Sequence, residues 1–220
     1  MKAAAALILA TATLISIPAA GADKIPKEMK PKLLREGAVL LEDDFSAEKL
    51  NDGWIIPKGD FAGKVELKDG TALIETGTGR QGFIYRKLQS GTNDAGVQLL
   101  MKPTSSTWMG VRFMTTTEPG VRQWKIATII YANGFVRVVE PEEDENKLKV
   151  IKSAKTDIKP GEWWRVSVES EGDKYLVRVN GKEMIEIKHP GTTGDKLGVM
   201  VNLYGGNGLI DEIKVTGGAK

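Results

Sequence analysis

The chain has 220 residues, 31 Lys+Arg against 29 Asp+Glu, no cysteine and one histidine. A near-neutral balance gives no basis for binding nucleic acid or an anionic membrane surface. The lack of cysteine excludes disulfides, thiol chemistry, thiolate metal sites and lipid attachment at a cysteine, and a chain of this size buries a sufficient core without cross-links.

Met1-Lys2 is followed by an uncharged, mostly apolar run, Ala3 to Ala20, closing on Ala20-Gly21-Ala22. A basic start, an apolar centre and small residues at the end predict a secretory signal peptide over 1–22, cleaved after Ala22. A membrane anchor is the rival, but the run is diluted by Ala and Thr and falls short of the ~20 strongly apolar residues a span needs. Export to the periplasm or beyond the cell is therefore expected, with no membrane span after processing. Residues 23–37, rich in basic residues and with two prolines, read as an exposed leader with a short helix around Met29 to Arg35. Residues 38–217 show no composition shift or repeat and form one domain.

That domain reads as all-β. Period-two apolar runs separated by Gly, Asn, Asp and Pro predict strands over 38–44, 64–68, 71–75, 83–88, 95–102, 109–115, 122–131, 134–140, 148–152, 164–169, 175–179, 184–187, 197–203 and 208–215. So many short strands suggest two packed antiparallel sheets. Asp69-Gly70, Asn133-Gly134 and Asn180-Gly181 lie between strands and tolerate the positive φ of hairpin turns. In GEWWRVSVESEGDKYLVRVNGKEMIEI, Gly161 to Ile187, alternation places Trp164, Val166 and Val168 on a core face, joined by Tyr175, Val177 and Val179. Trp163 packs under a loop or is exposed, and Trp54 packs under a loop or meets a ligand.

This stretch, with GDKLGVMVNLYGGNGLIDEIKVTG after it, resembles the C-terminal half of the concanavalin A-like lectin/glucanase jelly rolls. Within them it is most similar to exported bacterial 3-keto-disaccharide hydrolase domains, relatives of the laminarinases. LLEDDFS with Trp54 matches the opening strand, and WMGVRF, Trp108 to Phe113, a central one. The resemblance implies a two-sheet antiparallel jelly roll, a carbohydrate partner, and a structural Ca²⁺ near the last strand. It would place one ligand on Asp211, with Asp44 or Asp43 as partner. The alternative for Asp211 is a hydrogen bond to a neighbouring loop. No cofactor is required, and a monomer is expected.

Glycoside hydrolysis needs two carboxyl groups on one site. The laminarinase-like acidic strand pattern is absent. PEEDEN, Pro141 to Asn146, reads as a solvated loop, and Glu169 and Glu171 lead into a Gly-Asp turn and read as surface. Glu140 is the one catalytic candidate, with an edge charge as the alternative. His189 sits in His-Pro-Gly, a turn, and supports neither a triad nor a zinc site. Gly77 to Gly82 lacks the Lys-Ser/Thr ending of a phosphate loop and reads as a turn.

Sugar rings stack on aromatic faces and their hydroxyls take planar polar partners. Candidate ligand-binding residues on the concave sheet are Trp108, Arg112, Trp124, Tyr131 and Arg137, with core packing the alternative for each aromatic. Trp124 and Tyr131 fall on opposite faces of one predicted strand, so at most one of the two is expected to face the cleft. Three functions fit. The first is a non-catalytic carbohydrate-binding module. The second is a glycoside hydrolase acting on 3-keto-disaccharides or related glycans. The third is a structural or protein-interaction module of the cell envelope. The first is preferred because the acidic strand motif is missing.

Overall fold

A computed structural model describes residues 25–57, 63–117, 123–142 and 147–218. They form fifteen strands: β1 (Glu36–Asp43), β2 (Trp54–Ile55), β3 (Lys64–Lys68), β4 (Thr71–Glu75), β5 (Gln81–Thr92), β6 (Ala95–Pro103), β7 (Trp108–Met114), β8 (Ala127–Tyr131), β9 (Phe135–Pro141), β10 (Leu148–Lys155), β11 (Trp164–Glu171), β12 (Lys174–Val179), β13 (Lys182–Lys188), β14 (Lys196–Tyr204) and β15 (Asn207–Gly218). One sheet has eight strands in the order β13-β12-β11-β6-β15-β4-β3, with β1 also paired to β15. The other has seven, β10-β9-β8-β7-β14-β5-β2. All pairings are antiparallel, and the two sheets pack face to face as a jelly-roll sandwich. Among the described residues no helix is long and apolar enough to cross a membrane.

Turn chemistry fixes the registers. Asp69 and Gly70 both take positive φ between β3 and β4, as do Asn180 and Gly181 between β12 and β13, the geometry that matches strand twist in two-residue hairpins. Gly134 (φ +85°) closes the β8–β9 turn, where a Cβ would meet the Thr156 carbonyl oxygen at 2.8 Å. Alternation then decides which side chains face inward. Met109, Val111 and Phe113 of β7, Val136 and Val138 of β9, and Val199, Val201 and Leu203 of β14 meet Trp164, Val166 and Val168 of β11 in one core. Trp164 is fully buried, and its indole Nε1 donates to the Lys159 carbonyl at 3.2 Å. Across the core the Tyr175 hydroxyl shares a 3.0 Å hydrogen bond with Thr128, tying the two sheets together. Burial pushes that phenol above its ordinary range.

Four sequence expectations need correction. Trp54 does more than pack under a loop: it belongs to the core, starts the two-residue strand β2, packs against Phe45 with ring centroids 5.7 Å apart and tilted planes, and donates Nε1 to Asp43 at 2.8 Å. The strand expected over 122–131 begins only at Ala127. Residues 25–35 are neither helical nor an exposed leader, since Met29 and Leu34 are buried. This segment crosses the outward face of the eight-stranded sheet. Its Pro26 carbonyl accepts from Arg165 (3.2 Å), its Lys30 carbonyl from Arg178 (2.8 Å), and its Met29 N–H donates to Gln98 (3.0 Å).

Glu169 is the fourth. It is 2% exposed, not a surface charge. One carboxylate oxygen accepts the backbone N–H groups of Lys32, Leu33 and Leu34, and the other meets Arg178 Nη2 at 2.6 Å. The acid that alternation places outward is covered by chain from the far end of the sequence.

Candidate ligand-binding face

The seven-stranded sheet also presents an outward face, assembled by register. Tyr204 of β14 lies beside Trp108 of β7, Trp108 beside Tyr131 of β8, and Tyr131 beside Phe135 of β9. Four aromatic side chains thus run across four adjacent strands. The Trp108 and Tyr204 rings stack at 5.8 Å with planes 6° apart. Trp108, Tyr131 and Phe135 are half-buried, and Tyr204 is 36% exposed. The next row, two residues along, is Asn202, Gly110, Ile129 and Arg137; the third is Met200, Arg112, Ala127 and Val139.

Gly110 leaves room at the centre. A Cβ there would lie 2.8 Å from the Asn202 amide and 3.0 Å from the Thr128 carbonyl oxygen. Oriented to satisfy both its ends, the Asn202 amide donates to the Gly110 carbonyl (3.2 Å) and accepts from Gln81 Nε2 (3.0 Å) and Arg112 Nη2 (3.2 Å). Arg112 is 6% exposed and lies over the Trp124 ring, its guanidinium carbon 4.4 Å from the centroid. Burial draws this guanidinium down to about 9, so the cation remains the form present at neutral pH. Arg137 lies over Tyr131 at 4.8 Å and Phe135 at 6.0 Å. The Nε atoms of both arginines are buried without a hydrogen-bond partner.

The structure therefore brings Trp108, Arg112, Trp124, Tyr131 and Arg137 together on one outward face. Trp124 and Tyr131 share it after all, packed on the same Ala127, Ile129 and Val139 cluster. Trp124 precedes β8 in irregular chain, where strand parity does not apply. Tyr204, Asn202 and Phe135 belong to the face and were not singled out from sequence. Alternation through Met200, Asn202 and Tyr204 carried the signal, but the expected strand stopped at Leu203.

Glu140 stands apart. It has the parity of Val136 and Val138, opposite to Arg137, and pairs with Lys149 Nζ at 2.7 Å and His189 Nε2 at 3.3 Å. His189 also accepts from the Gly191 N–H at 3.1 Å, capping its own turn. Residues 143–146 of PEEDEN lie outside the described residues.

The calcium expectation meets a poor donor set. Burial, then the nearby Glu212 and Asp44 carboxylates, hold Asp211 above its ordinary range, although a hydrogen bond from the Glu212 N–H opposes this. Asp44 Oδ1 is engaged by the Ser46 N–H and hydroxyl. Asp43 is engaged by the Phe45 N–H, the Trp54 indole and Arg86. Among the described residues no group of three or more His, Asp or Glu side chains converges. Ca²⁺ takes six to eight oxygens, and these residues do not assemble such a cage.

No family model and no curated protein matches the chain. Solved structures match over most of it. A GlcNAcα1-4Gal-releasing endo-β-galactosidase from Clostridium perfringens aligns with a TM-score of 0.65 at 10% identity, covering 89% of this chain and 67% of that one. A Bacillus subtilis protein of unknown function with a galectin-like fold gives 0.64 at 10% identity, covering 86% and 100%. The carbohydrate-binding module CBM66 of Bacillus subtilis gives 0.60 at 13% identity, covering 74% and 95%. These similarities show the concanavalin A-like, galectin-like jelly-roll fold. The likeness to 3-keto-disaccharide hydrolases rests on the sequence motifs alone.

Proposed function

We propose that this protein is an exported, monomeric carbohydrate-binding module whose ligand lies across the outward face of the seven-stranded sheet. The observation that carries the reading is the aromatic row Tyr204–Trp108–Tyr131–Phe135, part-exposed and bordered by the Asn202 amide and two guanidiniums. Rings present flat apolar surface to a sugar face, while amide and guanidinium groups orient its hydroxyls; a few fixed polar groups in an apolar setting are what a ligand site needs. The carbohydrate-binding module and the glycosidase among the structural matches lend support at the level of fold. The outward strand positions offer aromatic, aliphatic, amide and cationic groups, a set suited to binding rather than to two-carboxylate hydrolysis.

The test is tryptophan fluorescence of the protein against a panel of oligosaccharides that includes 3-keto-disaccharides, with mass spectrometry of each mixture. A saturable shift without new masses, lost in Trp108→Ala, is expected. Product masses would make the protein a glycoside hydrolase. Silence throughout would refute the module and favour a protein-interaction role.

A further inference from the structure

The arginines of the outward face define its ligand more narrowly, an inference that rests on the binding face proposed above. A buried charge is costly unless paired, and a buried N–H is costly unless hydrogen-bonded. Arg112 is nine-tenths buried, yet among the described residues no carboxylate pairs with it, and its Nε has no acceptor. Stacking on Trp124 and one contact to Asn202 offset only part of that cost. Arg137 repeats the pattern, with its ring contacts to Tyr131 and Phe135, a buried Nε without a partner, and no carboxylate partner among the described residues.

The same molecule shows how its arginines are otherwise treated. On the eight-stranded sheet Arg178 is paired with Glu169 and Arg165 with Glu212. Arg178 also leaves its Nε without a partner, so the distinguishing feature is the charge: neutralised there, and not at Arg112 or Arg137. Charged residues at outward strand positions of the seven-stranded sheet include Lys87, Arg112, Arg137 and Lys155, all cations. A neutral sugar would leave two semi-buried positive charges uncompensated beneath it. A carboxylate or sulfate would supply both the missing charge and the missing acceptors, in the geometry a guanidinium fork favours.

We infer that the ligand is an anionic carbohydrate whose carboxylate or sulfate groups are received by Arg112 and Arg137. The experiment is calorimetric titration of the full chain with matched pairs of oligosaccharides. The pairs are oligogalacturonate with its methyl ester, a glucuronate-bearing oligosaccharide with its glucose counterpart, and a sulfated galactan with the unsulfated one. The expected result is that the acidic member of at least one pair binds about tenfold or more tightly than the neutral one, as a charge-assisted hydrogen bond implies. Which pair responds separates carboxylate from sulfate. Arg137→Gln, at a half-exposed position that tolerates the change, is expected to erase that preference. Arg112→Lys is expected to reduce it, because it keeps the charge but loses the fork. Equal affinities within every pair would overturn the anionic ligand while leaving the carbohydrate-binding reading intact. Failure of both members of every pair to bind would overturn both.

Discussion

The two outward faces of the sandwich pose the same physical problem and treat it differently. Each carries two arginines at outward strand positions, held close to the sheet. On the eight-stranded sheet the chain supplies its own counter-charges, Glu169 and Glu212, and then lays residues 25–35 over Glu169. On the seven-stranded sheet Arg112 and Arg137 rest on aromatic rings, with no carboxylate supplied from the described residues. One face is sealed by the protein itself. The other is left open in a form that a ligand completes. A buried cation is therefore informative about function only after its partners have been identified.

The comparison breaks most sharply at Glu169. Glu169→Ala strands Arg178 and three backbone N–H groups, and a loss of ~3–5 kcal/mol in denaturant unfolding is expected. Trypsin should then cut at Lys27 or Lys32 well before the β-sandwich. Matched arginine removals sharpen the contrast. Arg178→Met leaves Glu169 buried without its cation and should cost about 3 kcal/mol or more. Arg112→Met strands no carboxylate, and the lost ring contact and hydrogen bond are set against relief of a desolvated charge. It should change stability by no more than about 1 kcal/mol. Equal losses in the two variants would show that the faces are not different in kind.

Smaller effects concern the open face alone. Trp108→Ala should weaken carbohydrate binding by about 2 kcal/mol, the scale of a central aromatic anchor, with little change in unfolding midpoint. Gly110→Ala brings a methyl group to 2.8 Å from the Asn202 amide. It should cost about 1 kcal/mol of stability and displace the amide from Arg112, measurable as weaker binding.

Much of the fold was legible because it is local. The strands at 64–68 and 71–75 alternate cleanly around Asp69-Gly70, and both appear with those bounds. The outward positions of Gly110 and Arg112 followed from parity in β7, where Val111 and Phe113 mark the core side. Parity failed where the outward face is itself apolar. Ile129 and Val139 point away from the main core, so a binary pattern does not say which side of β9 is inside. It failed again at Trp124, where the chain is not yet a strand. Glu169 was illegible for a different reason: the amides that bury it lie 135 to 137 residues earlier, and nothing in the local alternation of β11 announces them. Long-range cover, unlike strand parity, leaves no local trace.

The measurement that tests the contrast most directly is a ¹⁵N-detected titration of the arginine Nε–H resonances with the acidic oligosaccharide that binds in calorimetry. The predicted result is saturable movement of the Arg112 and Arg137 signals, with Arg165 and Arg178 unmoved. Movement of Arg165 and Arg178 while Arg112 and Arg137 stay still would contradict the assignment of the open face as the binding site.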